Sequence, residues 1–140
     1  MFFIIRTIFI LTTLSFCMAS TPNYICLMRT YITNTLQDNI VVHVVGKDAG
    51  DLGNHTLAPN EVFDWKFGVR IGTYYKGEFW WGSKYGSVSV FNYDIFGSCF
   101  KELIFSVQRC YWLVKPDGFY VHGSNSSFPG AWTRMGTWSN

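Results

Sequence analysis

Val62-Phe63-Asp64-Trp65-Lys66-Phe67 is the stretch that decides the fold. Phe63, Trp65 and Phe67 fall on one side of an extended chain, and Asp64 and Lys66 fall on the other. A period of two is the signature of a half-buried β-strand with one wet face. The same pattern recurs outward from it. Residues 24–34 form a longer candidate with Ile32 turned inward. Residues 40–45 are apolar on both faces and read as a central strand. Residues 74–81 are rich in aromatics, and 87–93 alternate through Val88 and Val90. Residues 103–115 hold two out-of-phase sets, Leu103-Phe105-Val107 and Cys110-Trp112-Val114, which a bend or bulge near Gln108 and Arg109 would reconcile. Residues 119–122 supply a last short strand.

Turn formers separate these runs at 46–53, 58–60, 68–72, 82–86, 94–98 and 116–118. No long 3.6-residue pattern appears. About seven or eight short strands at this spacing predict an all-β fold, a small antiparallel β-sandwich. A parallel α/β sheet is disfavoured, because helical crossovers are missing.

Composition agrees. The chain has 140 residues, 49% of them hydrophobic, 19% aromatic and only 14% charged, which excludes a disordered polymer. Lys and Arg number 11 against 9 Asp and Glu, a formal charge of +2. That near-balance argues against a dedicated nucleic-acid binder, which needs a large basic surplus.

Residues 1–19 read as a cleaved signal peptide. Arg6 supplies the positive region, 8–16 the apolar one, and Cys17 and Ala19 the small residues before a cut at Ser20. A membrane span would need about 20 apolar residues, so the mature chain is expected to be secreted and extracellular, with no membrane insertion. The sandwich domain is expected over 20–122. Residues 123–140, GSNSSFPGAWTRMGTWSN, read as a Gly/Ser-rich mobile tail carrying Trp132 and Trp138.

Secretion leaves Cys26, Cys99 and Cys110 in an oxidising compartment. Cys99–Cys110 is the local pairing, with Cys26 as the alternative partner of either. One thiol is left over in every case, as an inert buried group or as the link of a disulfide-bonded dimer; a monomer is the simpler expectation. Asn54-His55-Thr56 and Asn125-Ser126-Ser127 are N-glycosylation sequons, read as surface loops.

Catalytic motifs are missing. There is no G-x-S-x-G, H-E-x-x-H, Walker loop or C-x-x-C. His43, His55 and His122 are scattered, and neither they nor Asp48 and Asp51 carry metal-ligand spacing. No enzyme activity, cofactor or metal is expected. Trp80 and Trp81 should point to opposite faces, one into the core and one outward.

Thr30-x-Ile32-x-Asn34-x-Leu36, Val42-His43, Lys47-Asp48, Asp51-Leu52-Gly53-x-His55-x-Leu57, Pro59-Asn60, Phe63-x-Trp65-x-Phe67, Phe79-Trp80, Cys110-x-Trp112-x-Val114 and Asp117-Gly118-x-Tyr120 occur in that order. The series resembles the plant self-incompatibility protein homologues, or S-protein homologues, from about Cys26 to Tyr120. The resemblance implies a small secreted β-sandwich of plants, a ligand recognised by a cell-surface receptor protein in cell–cell signalling. The family's usual extra cysteine pair would fall at positions that here look like Val44 and Trp81.

The motif residues themselves read as structural. Asn34 and Asp51 cap loop amides, Gly53 and Gly118 relieve turns of positive φ, and the aromatics fill the core. Recognition is therefore expected on loops 46–55 and 93–100, with Lys47, Asp48, Asp51, Asp94 and Phe96 as candidates. The alternative is a secreted cell-wall glycan-binding module using Trp80, Trp132 and Trp138. A third reading, a hydrolase built on His43, His55 or His122 with Asp51, requires those groups within hydrogen-bond reach.

Overall fold

The computed structural model describes residues 26–101 and 107–140. The expected signal peptide and the Leu103-Phe105 strand set lie outside the described residues. Among the described residues nine strands and one short helix follow in order: β1 (Cys26–Asn34), β2 (Ile40–Gly46), β3 (Gly50–Leu57), β4 (Val62–Val69), β5 (Tyr75–Trp81), β6 (Lys84–Phe91), α1 (Tyr93–Cys99), β7 (Gln108–Lys115), β8 (Gly118–His122) and β9 (Thr133–Gly136). They form two sheets, ordered β4-β1-β7-β8-β9 and β3-β2-β5-β6. The all-β sandwich holds, with one departure from the antiparallel expectation. β1 and β7 run parallel, with Thr30 opposite Cys110, because the chain reaches β7 from β6 by way of α1 rather than by a hairpin.

Alternation drives the assembly. Along β1 and β2 every second residue is buried, so Met28, Ile32, Val42 and Val44 face the other sheet. β2 sits between β3 and β5, the central place its two apolar faces predict. Phe63, Trp65 and Phe67 form a stacked ladder on β4, with ring centroids 5.4 and 6.1 Å apart. Trp112, Phe79, Phe91 and Phe119 fill the centre. Ala58-Pro59-Asn60 closes a type II turn: Asn60 has φ 68° and the Glu61 amide donates to the Ala58 carbonyl oxygen. Gly118 has φ 145° at the Pro116-Asp117 hairpin, a conformation that a side chain would strain.

Asn34 fastens the end of the sandwich opposite α1. It is fully buried; its Nδ2 donates to the Asp38 and Leu57 carbonyl oxygens, and its Oδ1 accepts from the Leu36 amide.

Three sequence expectations are corrected. Residues 50–57 are a strand, β3, where turn chemistry was read, because hydrogen bonding to β2 overrides the glycines; Gly50 and Gly53 take φ of 83° and 84°. Residues 93–99 are a helix, not a turn: the Asn92 side chain caps the Ile95 amide, and Ile95 and Cys99, four apart, are the buried face. The segment read as a mobile tail is structured over much of its length. β9 pairs with β8, Trp132 is only 8% exposed, and the Trp138 indole N–H donates to the Lys115 carbonyl oxygen at 2.8 Å. Ser139 then pairs with Tyr85 on β6 through both backbone hydrogen bonds, so the chain's last residues join the two sheets.

Cys99 and Cys110 are bonded, with Cα atoms 5.3 Å apart, and tie α1 to β7. Closing so short a loop contributes about 2–3 kcal/mol in the chain-entropy account. Cys26, the alternative partner, is fully buried and is itself disulfide-bonded in the full chain, but to neither Cys99 nor Cys110. Val44 lies opposite Gly77, four residues before Trp81. That register offset is about 13 Å, too far for a bridge between those two positions.

Candidate recognition site

The two segments singled out as recognition loops come to the same end of the sandwich. Gly46 at the end of β2 is in register with Tyr75 at the start of β5, and Tyr75 with Phe91 at the end of β6. The 47–49 turn, the 70–74 loop and α1 therefore all emerge there. The Lys47 amide donates to the Tyr74 carbonyl oxygen at 3.0 Å, joining the first two.

A cleft of about 360 Å³ opens between that turn and that loop. Asp48 and Ala49 form one wall, Arg70, Ile71 and Thr73 the other, and Phe67 and Tyr75 contribute the floor. Burial is the main cause raising the Tyr75 phenol above its ordinary value. Ile71 is 89% exposed at the rim, with Tyr74 beside it. An apolar side chain so placed between Arg70 and Gly72 gains nothing for the fold. Sequence reading missed it by taking 68–72 as a turn and nothing more; the signal was a lone isoleucine among turn formers.

The other candidates divide. Asp48 lines the cleft and Lys47 borders it. Asp51 instead looks over the outer face of the four-stranded sheet, where its Oδ1 accepts from the Gly53 amide and from His43 Nε2, both at 2.7 Å. The Gly53 amide first, and His43 second, hold this carboxyl below its ordinary value. Asp94 is exposed in the first turn of α1. Phe96 packs inward, 6.2 Å from Phe91 and 5.5 Å from Phe100.

His43 does meet Asp51, as the hydrolase reading requires. Its other ring nitrogen, however, faces Glu78 Oε1 at 3.8 Å, and Glu78 also accepts from the Tyr85 hydroxyl at 2.7 Å. Among the described residues the one side-chain hydrogen bond of His43 goes to Asp51, and no hydroxyl or thiol stands in its bonding. His55 donates to the Leu52 carbonyl oxygen and stacks on Phe63 at 3.9 Å, a packing role. His122 meets Ser124 Oγ at 3.0 Å and the Trp132 ring, with no carboxylate in its bonding. Among the described residues no group of three or more His, Cys, Asp or Glu side chains is arranged to hold a metal.

Asn54 is exposed, but it lies in β3 opposite His43 rather than in a loop. Asn125 is exposed beyond β8. Trp81 turns inward against Trp138, and Trp80 stands on the outer face beside Tyr85, the split expected of neighbours on a strand. Trp132 and Trp138 are packed against the body, so of the three tryptophans offered for glycan stacking only Trp80 stands on an open sheet face.

The chain is thus a two-layer β-sandwich with a loop cleft at one end. The sequence profile described as plant self-incompatibility protein S1 matches residues 29–138, and the chain belongs to that family. Its members are secreted, signalling-type plant proteins and non-enzymatic ligands. The match reaches through β9, in keeping with the ordered C-terminal segment. No curated protein matches the chain. Among solved structures, the protein elicitor MoHrip2 from Magnaporthe oryzae is similar over 44% of this chain and 57% of that one, at 12% identity and a TM-score of 0.27. The chain thus spans less than two thirds of that protein's length, and so low a likeness carries no argument. Among the described residues no helix is long and apolar enough to cross a membrane.

Proposed function

We propose that the chain is a secreted, non-catalytic ligand that engages a cell-surface receptor protein through the end bearing the 47–49 turn, the 70–74 loop and α1. Residues 1–19 are its export signal, and Asn54 and Asn125 are its glycan sites. The observation that carries this reading is the cleft, with Asp48 on one wall and the exposed Ile71 on the other. An apolar anchor at a concave site rimmed by charge is how protein interfaces concentrate their binding energy. Family membership supplies the signalling class.

The test is binding of the labelled, secreted chain to living plant cell surfaces. Saturable binding is expected, displaced by unlabelled chain and weakened about tenfold or more in Ile71→Asp, the usual cost of losing an interface anchor. No saturable binding on any plant tissue, or full binding by Ile71→Asp, would count against the receptor reading.

A further inference from the structure

The outer face of the five-stranded sheet carries a row of like charge. Lys66 on β4 is the register partner of Arg29 on β1, and Arg29 is the partner of Arg109 on β7. Their sequence neighbours Phe67, Met28 and Cys110 are buried, so the three cations point away from the core. Strands lie about 4.8 Å apart, which sets the three in a line about 10 Å long.

Such a row weakens a sheet, because like charges directly opposite repel. Arg29 alone is compensated, its Nη1 donating to Asp64. Among the described residues no carboxylate pairs with Lys66 or Arg109. A local choice that costs stability without a structural return marks a functional surface. Past Arg109 the row runs into a shallow groove of about 130 Å³ lined by Lys101, Gln108, Tyr111, Ser124 and Asn125. Tyr31 and Tyr111, stacked at 4.8 Å, stand two residues further along the same face.

We propose that this row binds a linear acidic polysaccharide, with its carboxylates seated on Lys66 and Arg109, to either side of the Arg29–Asp64 pair, and the sugar hydroxyls beside Tyr31 and Tyr111. The straight, evenly spaced cations on a flat face match an extended polymer with regularly repeating charge. None of the large exposed apolar residues belongs to the row, which disfavours a membrane surface. The other sheet balances Lys76 and Lys84 with Asp51 and Glu78, so the excess of positive charge belongs to one side. The proposal does not depend on the receptor reading, whose test turns on Ile71.

Affinity electrophoresis of the full secreted chain through gels containing polygalacturonate tests it, with fully methyl-esterified pectin and poly-L-glutamate as comparisons. Retardation by polygalacturonate is expected, falling steeply with salt and weakened about tenfold in a Lys66→Gln/Arg109→Gln double variant. Esterified pectin should not retard the chain. Lys76→Gln/Lys84→Gln, the same charge change on the other sheet, should bind as the parent does. Equal loss in that second pair would reduce the effect to net charge and overturn the proposal. Binding to esterified pectin as strong as to polygalacturonate would overturn it too, as would tighter binding to poly-L-glutamate.

Discussion

Trp112 on β7 donates its indole N–H to the carbonyl oxygen of Val90 on β6, 3.1 Å away, and so joins the two sheets through the middle of the core. Both residues are almost wholly buried. Trp112→Phe keeps an aromatic ring but removes the donor and part of the volume. It should destabilise the fold by about 2–4 kcal/mol. Urea unfolding followed by the remaining tryptophans would measure this, and a loss below about 0.5 kcal/mol would deny the bond its structural role.

Thr30 calls for the opposite change. Its hydroxyl is fully buried on the inner face of β1 without a hydrogen-bond partner, directly opposite Trp65. A buried polar group without a partner costs stability. Thr30→Val has the same shape without the hydroxyl and should raise stability by about 1 kcal/mol. A thermal shift downward would mean that the hydroxyl is satisfied in solution.

Trp138 anchors the end of the chain. It packs at a tilt against Phe119 at 4.8 Å and Trp81 at 5.6 Å while bonding to Lys115. Trp138→Ala should cost about 3–5 kcal/mol and release residues after Gly130 to limited proteolysis. Unchanged protection would show that β9 holds without it.

Asp51 makes an acid-sensitive contribution. Its carboxyl is held below the ordinary value of 3.8 by the Gly53 amide and His43. A depressed folded value stabilises above the unfolded value, and that contribution is lost as pH falls through the folded one. Asp51→Asn should therefore be less stable than the parent at pH 6, and the two should converge as pH falls through the folded value. Urea midpoints across that range would show it; a gap that stays constant with pH would remove the linkage.

The sandwich was legible wherever alternation and burial coincide, as in Phe63-Trp65-Phe67 and Val42-Val44. It was illegible where pairing works against local preference. β3 is written in glycine, aspartate and asparagine, and only its neighbour β2 makes it a strand. β9 and Trp138 are long-range closures within a Gly/Ser-rich background, which local reading takes for a free tail. The chosen loops did meet at one end, because surface loops flank strands. Ile71 and the Lys66–Arg29–Arg109 row were invisible, since one depends on a cleft between two loops and the other on a register that spans three strands.

The pairing of Ser139 with Tyr85 gives the molecule a polarity that bears on how it should be handled. Tyr85 adjoins the 82–83 turn, at the far end from Ile71, whereas Cys26 begins β1 at the same end as the cleft. A fluorophore, affinity handle or sensor-chip linkage placed at Asn140 would leave the cleft facing solution, while the same attachment ahead of Cys26 would crowd it.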